Sequence, residues 1–217
     1  MAYGIEIKNI TGEVVLDGNT SVFTEVSSGV VSVATDDERC YKGNIYVPPN
    51  YTNTIIAYKL PAGKWLSLWG DKVYAHKSTG TASVAYKIFA QASQASFSGD
   101  PYGLVMYDAL GNLVFDSGRK IFNVLSNHVF TSTQYATTAF YNAGNQWLIP
   151  SVAGYRGGYF GTYRYGKRNV LMQSTYILQN SSGSVSTMID EMHTVGTTGS
   201  TGIFTSPTCS ALRIVIA

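Results

Sequence analysis

The sequence predicts an all-β protein made of two tandem, related β-sandwich-like units that arose by internal duplication, residues 1–98 and residues 99–217. Three observations predict it: short apolar segments that alternate with a two-residue period, Gly, Pro and Asn clusters that interrupt them at close spacing, and a stretch of sequence that occurs twice. Alternation with period two is the mark of a strand with one buried face. Many such strands broken by turn residues point to a sandwich or barrel.

The duplication is the most specific of the three. Residues 3–31, YGIEIKNITGEVVLDGNTSVFTEVSSGVV, align without a gap, at an offset of 99, to residues 102–130, YGLVMYDALGNLVFDSGRKIFNVLSNHVF, with 8 identities in 29 positions. The identical pairs are Tyr3/Tyr102, Gly4/Gly103, Gly12/Gly111, Val15/Val114, Asp17/Asp116, Phe23/Phe122, Ser27/Ser126 and Val30/Val129. Background composition would supply roughly one or two. Exchanges such as Ile5/Leu104, Ile7/Met106 and Leu16/Phe115 keep the apolar pattern.

Each copy reads as a hairpin. Ile5 and Ile7 point one way and Glu6 and Lys8 the other. Asn9 to Gly12 and Asp108 to Gly111 then provide a type I turn in which Asn or Asp begins the bend and Gly takes positive φ as a bulge. The return strands are Glu13 to Asp17 and Asn112 to Asp116.

Further strands are expected at Val30 to Ala34, Gly43 to Val47, Thr54 to Leu60, Trp65 to Trp69 and Lys72 to Ala75. In the second unit they fall at Thr137 to Tyr141, Gln146 to Ile149, Tyr159 to Tyr165 and Val170 to Leu178. The alike segments SVAYKIFA (83–90) and SALRIVIA (210–217) close the two units, and the polar stretch Gln91 to Asp100 connects them. Val185 to His193 is the one segment in which a helical turn or two competes with the strand reading.

Composition narrows the function classes. Charged residues are 13% of the chain, about half the usual ~25%. Gly, Ser, Thr, Asn and 16 Tyr cover the surface instead, a mixture suited to adaptable contacts with other macromolecules. A net charge of +2 does not signal nucleic-acid binding. Cys40 and Cys209 are too few for a disulfide scaffold, lack metal-like spacing and read as two buried thiols. The start MAYGIEIKN has no apolar run, and charge-free segments such as Asn169 to Ile189 are rich in Ser and Gln, so a soluble protein without a signal peptide or membrane insertion is expected.

The openings YGIEIKNITGEVVLD and YGLVMYDALGNLVFDSGRK resemble a family of small tail-associated virion proteins of tailed bacteriophages. Those proteins begin with a Tyr-Gly-Leu/Ile strand, an Asn/Asp-x-x-Gly turn and a hydrophobic strand ending in Asp, and finish on an apolar strand. The similarity covers about 30 residues of each half and the terminal strands; the family typically has one such unit where this chain has two. It implies a structural or host-contacting part of a tail tip, baseplate or fibre, assembled in the bacterial cytoplasm and released in the virion. Its partners would be other tail proteins and copies of itself in a trimer or ring. Nothing in the sequence announces a fibre by heptads or collagen-like repeats.

Candidates for chemistry are sparse. His76, His128 and His193 have no zinc-binding spacing, and Asp36-Asp37-Glu38 lacks the pattern of a calcium loop and reads as a solvated turn. A glycosidase pair could be drawn from Asp71, Asp100, Asp190 or Glu191 only if folding brought two of them together. No catalytic set, cofactor or metal is therefore expected. The most suggestive stretch is Tyr155 to Arg168, YRGGYFGTYRYGKR, where Tyr155, Arg156, Tyr159, Tyr163, Arg164 and Tyr165 alternate aromatic faces with cations. Such a surface can stack on sugars or anchor a protein interface; a Gly-broken strand pair with a Tyr/Arg solvent face is the plainer reading. Trp65, Trp69 and Trp147 are expected in core packing. The leading expectation is a non-enzymatic tail-tip or baseplate protein. The alternatives are a receptor-binding protein for a host glycan or pilus, and a capsid decoration protein.

Overall fold

The computed structural model describes residues 7–8, 14–16, 21–37, 40–123, 126–130, 137–138, 147–150, 155–159, 168–179, 185–198 and 212–216. In chain order the first strands are β1 (Ile7–Lys8), β2 (Val14–Leu16), β3 (Phe23–Val33), β4 (Thr35–Asp37), β5 (Cys40–Asn44), β6 (Ile55–Lys59), β7 (Trp65–Trp69), β8 (Lys72–His76) and β9 (Ala82–Gln91). They are followed by β10 (Val105–Tyr107), β11 (Leu113–Asp116), β12 (Ser126–Phe130), β13 (Thr137–Thr138), β14 (Leu148–Pro150), β15 (Tyr155–Tyr159), β16 (Arg168–Gln179), β17 (Val185–Thr198) and β18 (Leu212–Ile216). Two single 3-10 turns, Lys77–Thr79 and Ala92–Gln94, are the only helical elements among the described residues. The chain is all-β. Val185–His193 is not helical: it lies in β17, which pairs with β16 from Gln179↔Val185 to Arg168↔Thr198, with register shifts between Val170 and Leu171 and between Met172 and Gln173. A cross-strand ladder of that length outweighs the helical preference of Met and Glu.

Contacts divide the chain into two compact units. Unit 1 is Met1–Gly29, Val47–Ile56 and Lys87–Asn123; unit 2 is Val30–Tyr46, Ala57–Tyr86 and Val124–Ala217. These units interleave along the chain, because β3, β6 and β9 each run on from one into the other, whereas the boundary at 98/99 marks where the sequence begins to repeat.

Unit 1 holds both copies of the repeated hairpin. β1 pairs with β2 as Ile7↔Leu16 and Lys8↔Val14, with an irregularity between Ile7 and Lys8. β10 pairs with β11 as Met106↔Phe115 and Tyr107↔Leu113, with an irregularity between Met106 and Tyr107. Adding 99 to every residue of the first ladder gives two of the three pairs of the second, which also has Val105↔Asp116, so over these pairs the hairpins share register and bulge, with Val15 and Val114 as the extra residues. The segments that follow the hairpins pair with each other: Thr24 bridges Ile121, the Phe122 N–H donates to the Phe23 carbonyl at 2.9 Å, and the Glu25 N–H donates to the Lys120 carbonyl at 2.9 Å. Met106 and Val114 form the small core under the second hairpin, with Val22 and Phe115 against them.

Two large sheets supply the strands of unit 2, with β3 entering from Val30 and β9 as far as Tyr86. One has the order β12-β18-β14-β6-β9-β3, the other β13-β17-β16-β7-β8-β5-β4, with β15 paired to β16 beside that path. Both orders read alike from the middle outward. From the β14/β6 pair come β18 then β12 on one side and β9 then β3 on the other; from β16/β7 come β17 then β13, and β8 then β5. β9 contains the segment 83–90 and β18 covers residues 212–216 of the segment 210–217, the two expected to close the units, while β3 and β12 carry the matching residues Val30 and Val129.

Alternation explains the packing. In β7, Leu66 and Leu68 are buried on one face, while Trp65 and Trp69 on the other pack beside the buried cluster Cys40, Tyr74 and Tyr176. Trp69 meets Tyr74 edge-on at 6.0 Å, so these two indoles have the packing role expected of them. Val33, Leu66, Val73, Val84 and Ile177 are essentially inaccessible, each contributing about 1.5–3 kcal/mol through burial. The sheets approach closely at Gly43 of β5, where an added Cβ would lie 2.7 Å from the Ser32 carbonyl oxygen and 3.0 Å from Val31 Cγ2.

Candidate interaction site

The second hairpin is the best-defined candidate, and its turn is built by one carboxylate. Asp108 accepts from the Leu110 N–H (2.8 Å), the Asn112 N–H (2.8 Å) and Asn112 Nδ2 (2.7 Å). Its own N–H donates to the Asn112 carbonyl at 2.9 Å, and Gly111 turns the chain at φ +82. This is the Asp-started, Gly-bulged turn that the sequence predicts. Hydrogen bonds from Asn112, with Leu110 and Gly111, hold the Asp108 carboxyl below its ordinary range. The equivalent turn, Asn9 to Gly12, lies outside the described residues.

At the other end of the hairpin Asp116, 3% exposed, latches the connecting stretch. It accepts from the Ser98 N–H at 2.8 Å, Ser98 Oγ at 2.9 Å and the Gly118 N–H at 2.9 Å, with Arg119 Nε 3.9 Å away. Burial pushes its pKa up, but these hydrogen bonds and the Arg119 charge together outweigh burial and the carboxyl titrates low. Gly118 must be glycine-sized here, since a Cβ would sit 2.5 Å from Ser98 Oγ and 2.8 Å from Asp100 Cβ. Arg119 also reaches the carbonyls of Glu25 and Ser96. The apolar strand ending in Asp thus has a local cause: that carboxylate anchors the chain that leads into the hairpin.

With both ends fixed, the hairpin displays apolar side chains to solvent. Tyr102 is 98% exposed, Leu110 87%, Tyr107 54% and Leu104 44%. Beside the hairpin's exit, Glu25, Ser27, Ser28, Ser98, Arg119 and Lys120 line an open cleft of about 360 Å³. Its charges are largely matched internally: Glu25 pairs with Lys87 at 2.8 Å and lies 3.9 Å from Lys120. The hairpin, not the cleft, presents the exposed apolar side chains.

Other sequence candidates are dispersed. Tyr155, Arg156 and Tyr159 lie on β15, which pairs with β16 from Tyr155↔Ser174 to Tyr159↔Val170, while Tyr163, Arg164 and Tyr165 lie outside the described residues. Trp147 is half-buried just before β14. His76 caps a 3-10 turn by accepting from the Ser78 N–H, His128 pairs with Ile214 in a ladder, and His193 with Met172. Among the described residues no three His, Cys, Asp or Glu gather as a metal site. Asp36 and Asp37 belong to β4 instead of a turn, and Asp36 is bound by Lys77 at 2.5 Å. Asp190 and Glu191 are consecutive on β17, and Asp100 accepts from the Tyr102 N–H. Cys40 is a buried thiol whose pKa burial pushes up to about 11; Cys209 lies outside the described residues.

The exposed hairpin escapes a reading of the sequence because apolar residues on a strand look like core. Among the described residues no helix is long and apolar enough to cross a membrane. Comparison with protein-family models, curated proteins and solved structures finds no match.

Proposed function

We propose that this chain is a non-enzymatic structural protein of a bacteriophage tail tip or baseplate, made in the bacterial cytoplasm and carried in the virion. In this reading two related sandwich-like units, 1–98 and 99–217, descend from one ancestral unit, and contacts to other tail proteins and to further copies of itself are its work. The observation that carries it is the repeated hairpin: the Tyr-Gly strand, Asx-x-x-Gly turn and Asp-terminated return that resemble the tail-protein family occur twice with one register and one bulge. The like order of strands on either side of β14/β6 and of β16/β7 supports the duplication. Exposed Tyr and Leu side chains on the second hairpin suit assembly contacts. Mass spectrometry of gradient-purified virions tests the assignment; it predicts the protein in intact particles and defective tails when the gene is removed. Particles that lack it at every stage would end the proposal.

A second reading, attachment to a host glycan or pilus, is favoured by one observation. β15 brings Tyr155, Arg156 and Tyr159 onto the half of β16 that precedes its pairing with β7. Replacing Tyr159, Tyr163 and Arg164 with Ala should then abolish adsorption while particles stay intact, and unchanged adsorption refutes it.

A further inference from the structure

Antiparallel pairing fixes which backbone groups of β10 face its partner. The Ser117 N–H donates to the Leu104 carbonyl at 3.0 Å, the Leu104 N–H to Ser117 Oγ at 2.8 Å, and the Asp108 N–H to the Asn112 carbonyl at 2.9 Å. Leu104, Met106 and Asp108 therefore face β11, and the alternation of an antiparallel ladder turns the N–H and C=O of Val105 and Tyr107 outward. Among the described residues β10 pairs with β11 alone. Of the two residues whose backbone groups face outward, Tyr107 is 54% exposed and Val105 is partly exposed.

Open strand edges normally carry charge, which makes pairing with another chain costly. The first copy of the repeat carries charge at the matching positions. The residues 99 positions before Val105 and Tyr107 are Glu6 and Lys8. In the second hairpin both charges are gone, and residues 101–107, PYGLVMY, contain none.

We propose that the β10 edge is an interface for β10 of a second copy of this chain, paired antiparallel about a two-fold axis at Met106. Val105 of each copy then lies opposite Tyr107 of the other, and the outward backbone groups exchange hydrogen bonds. The same axis sets Tyr102 of each copy beside the turn that carries Leu110 of the other. These are the two most exposed large hydrophobic side chains among the described residues, and each finds cover in the other. Charge selects the occupant. A neutral edge matches its own copy, whereas pairing with the first copy of the repeat in another molecule would set a segment containing Glu6 and Lys8 against residues 101–107, which hold no opposing charge. Such a contact is isologous and closes at two copies, so it narrows the expected trimer or ring to assemblies built from dimers. It does not rest on the virion reading.

Light scattering after gel filtration of the full chain, over a concentration series, tests this. Wild type should form a dimer. Val105→Glu combined with Tyr107→Lys, which restores the charges of the first hairpin, should raise the dimer dissociation constant at least about tenfold. Tyr102→Ser combined with Leu110→Ser, which leaves the strand backbone alone, should also weaken it, and both variants should melt as wild type does. A wild-type monomer overturns the proposal, including one that pairs with a different virion protein. So does a trimer, or a dimer indifferent to both double variants. Presence in purified virions is a separate measurement, so either proposal can fail alone.

Discussion

The Phe122 N–H donates to the Phe23 carbonyl at 2.9 Å, and these two residues occupy the same position of the repeat, 99 apart. This hydrogen bond thus bridges residues that match in the two aligned stretches of sequence. Thr24, 2% exposed, reinforces it by donating from Oγ1 to the Lys120 carbonyl at 3.2 Å. Thr24→Val keeps the shape and removes the donor, so it should lower unfolding free energy by about 1 kcal/mol in urea titration. No change would mean that the bridge contributes nothing to stability.

The Asp116 latch gives a pH signature. Its folded pKa is depressed, so its contribution is fully present above the ordinary carboxyl range and is lost as pH falls through the depressed value, below about 4. Asp116→Asn should cost about 1–3 kcal/mol at neutral pH, because the anion that gathers Ser98, Gly118 and Arg119 is gone. The difference between variant and wild type should then shrink on acidification. Urea midpoints at pH 7 and pH 3 check the sign.

How much of the molecule is legible in its sequence depends on whether the cause is local. WLSLW at 65–69 reads as a strand because Leu and Trp alternate, and its observed ends match. The Asp108 to Gly111 turn is legible for the same reason: Asp and Gly each satisfy a need within a few residues. Strand order is not, since pairings such as Leu148↔Tyr58 and Ile177↔Leu66 join segments far apart in sequence. Val185 to His193 is ambiguous because helix-favouring Met188, Glu191 and Met192 sit among strand-favouring Val185, Thr187 and Ile189, and pairing with β16 decides. At the candidate site, Tyr102 and Leu110 look like core until their exposure is known. The exchange of Glu6 for Val105 and Lys8 for Tyr107 is visible in the aligned copies, but edges cannot be identified before strand order is.

Gly43 reports on sheet-to-sheet packing. Its missing Cβ would lie 2.7 Å from a backbone oxygen, that of Ser32, which no rotamer change can relieve. Gly43→Ala should therefore destabilise by about 1–3 kcal/mol, seen as a lower urea midpoint. A neutral or stabilising result would show that β3 and β5 can separate without cost.

Cys40 lies in the buried cluster with Tyr74 and Tyr176, and burial pushes its thiol up to about 11. Thiolate is the reactive form, so at pH 8 Cys40 should resist iodoacetamide in the folded protein and react promptly in denaturant. Peptide mass spectrometry reads the labelling at this residue directly. Rapid native labelling would place the thiol at the surface and contradict the packing of β5.

Gly111 separates strain from crowding. It sits at φ +82 with nothing within 4 Å of the point a Cβ would occupy, so substitution there meets only the backbone preference of an L-residue. Gly111→Ala should cost about 1–2 kcal/mol, and Gly111→Asn clearly less, because Asn tolerates the left-handed region. At Gly43 the opposite order holds: a larger Asn meets the same oxygen and should be worse than Ala. Thermal melts of the four variants test the contrast. If Asn fails to outperform Ala at position 111, the positive-φ bulge is not what fixes this turn, and Asp108 with its three accepted hydrogen bonds must hold it alone.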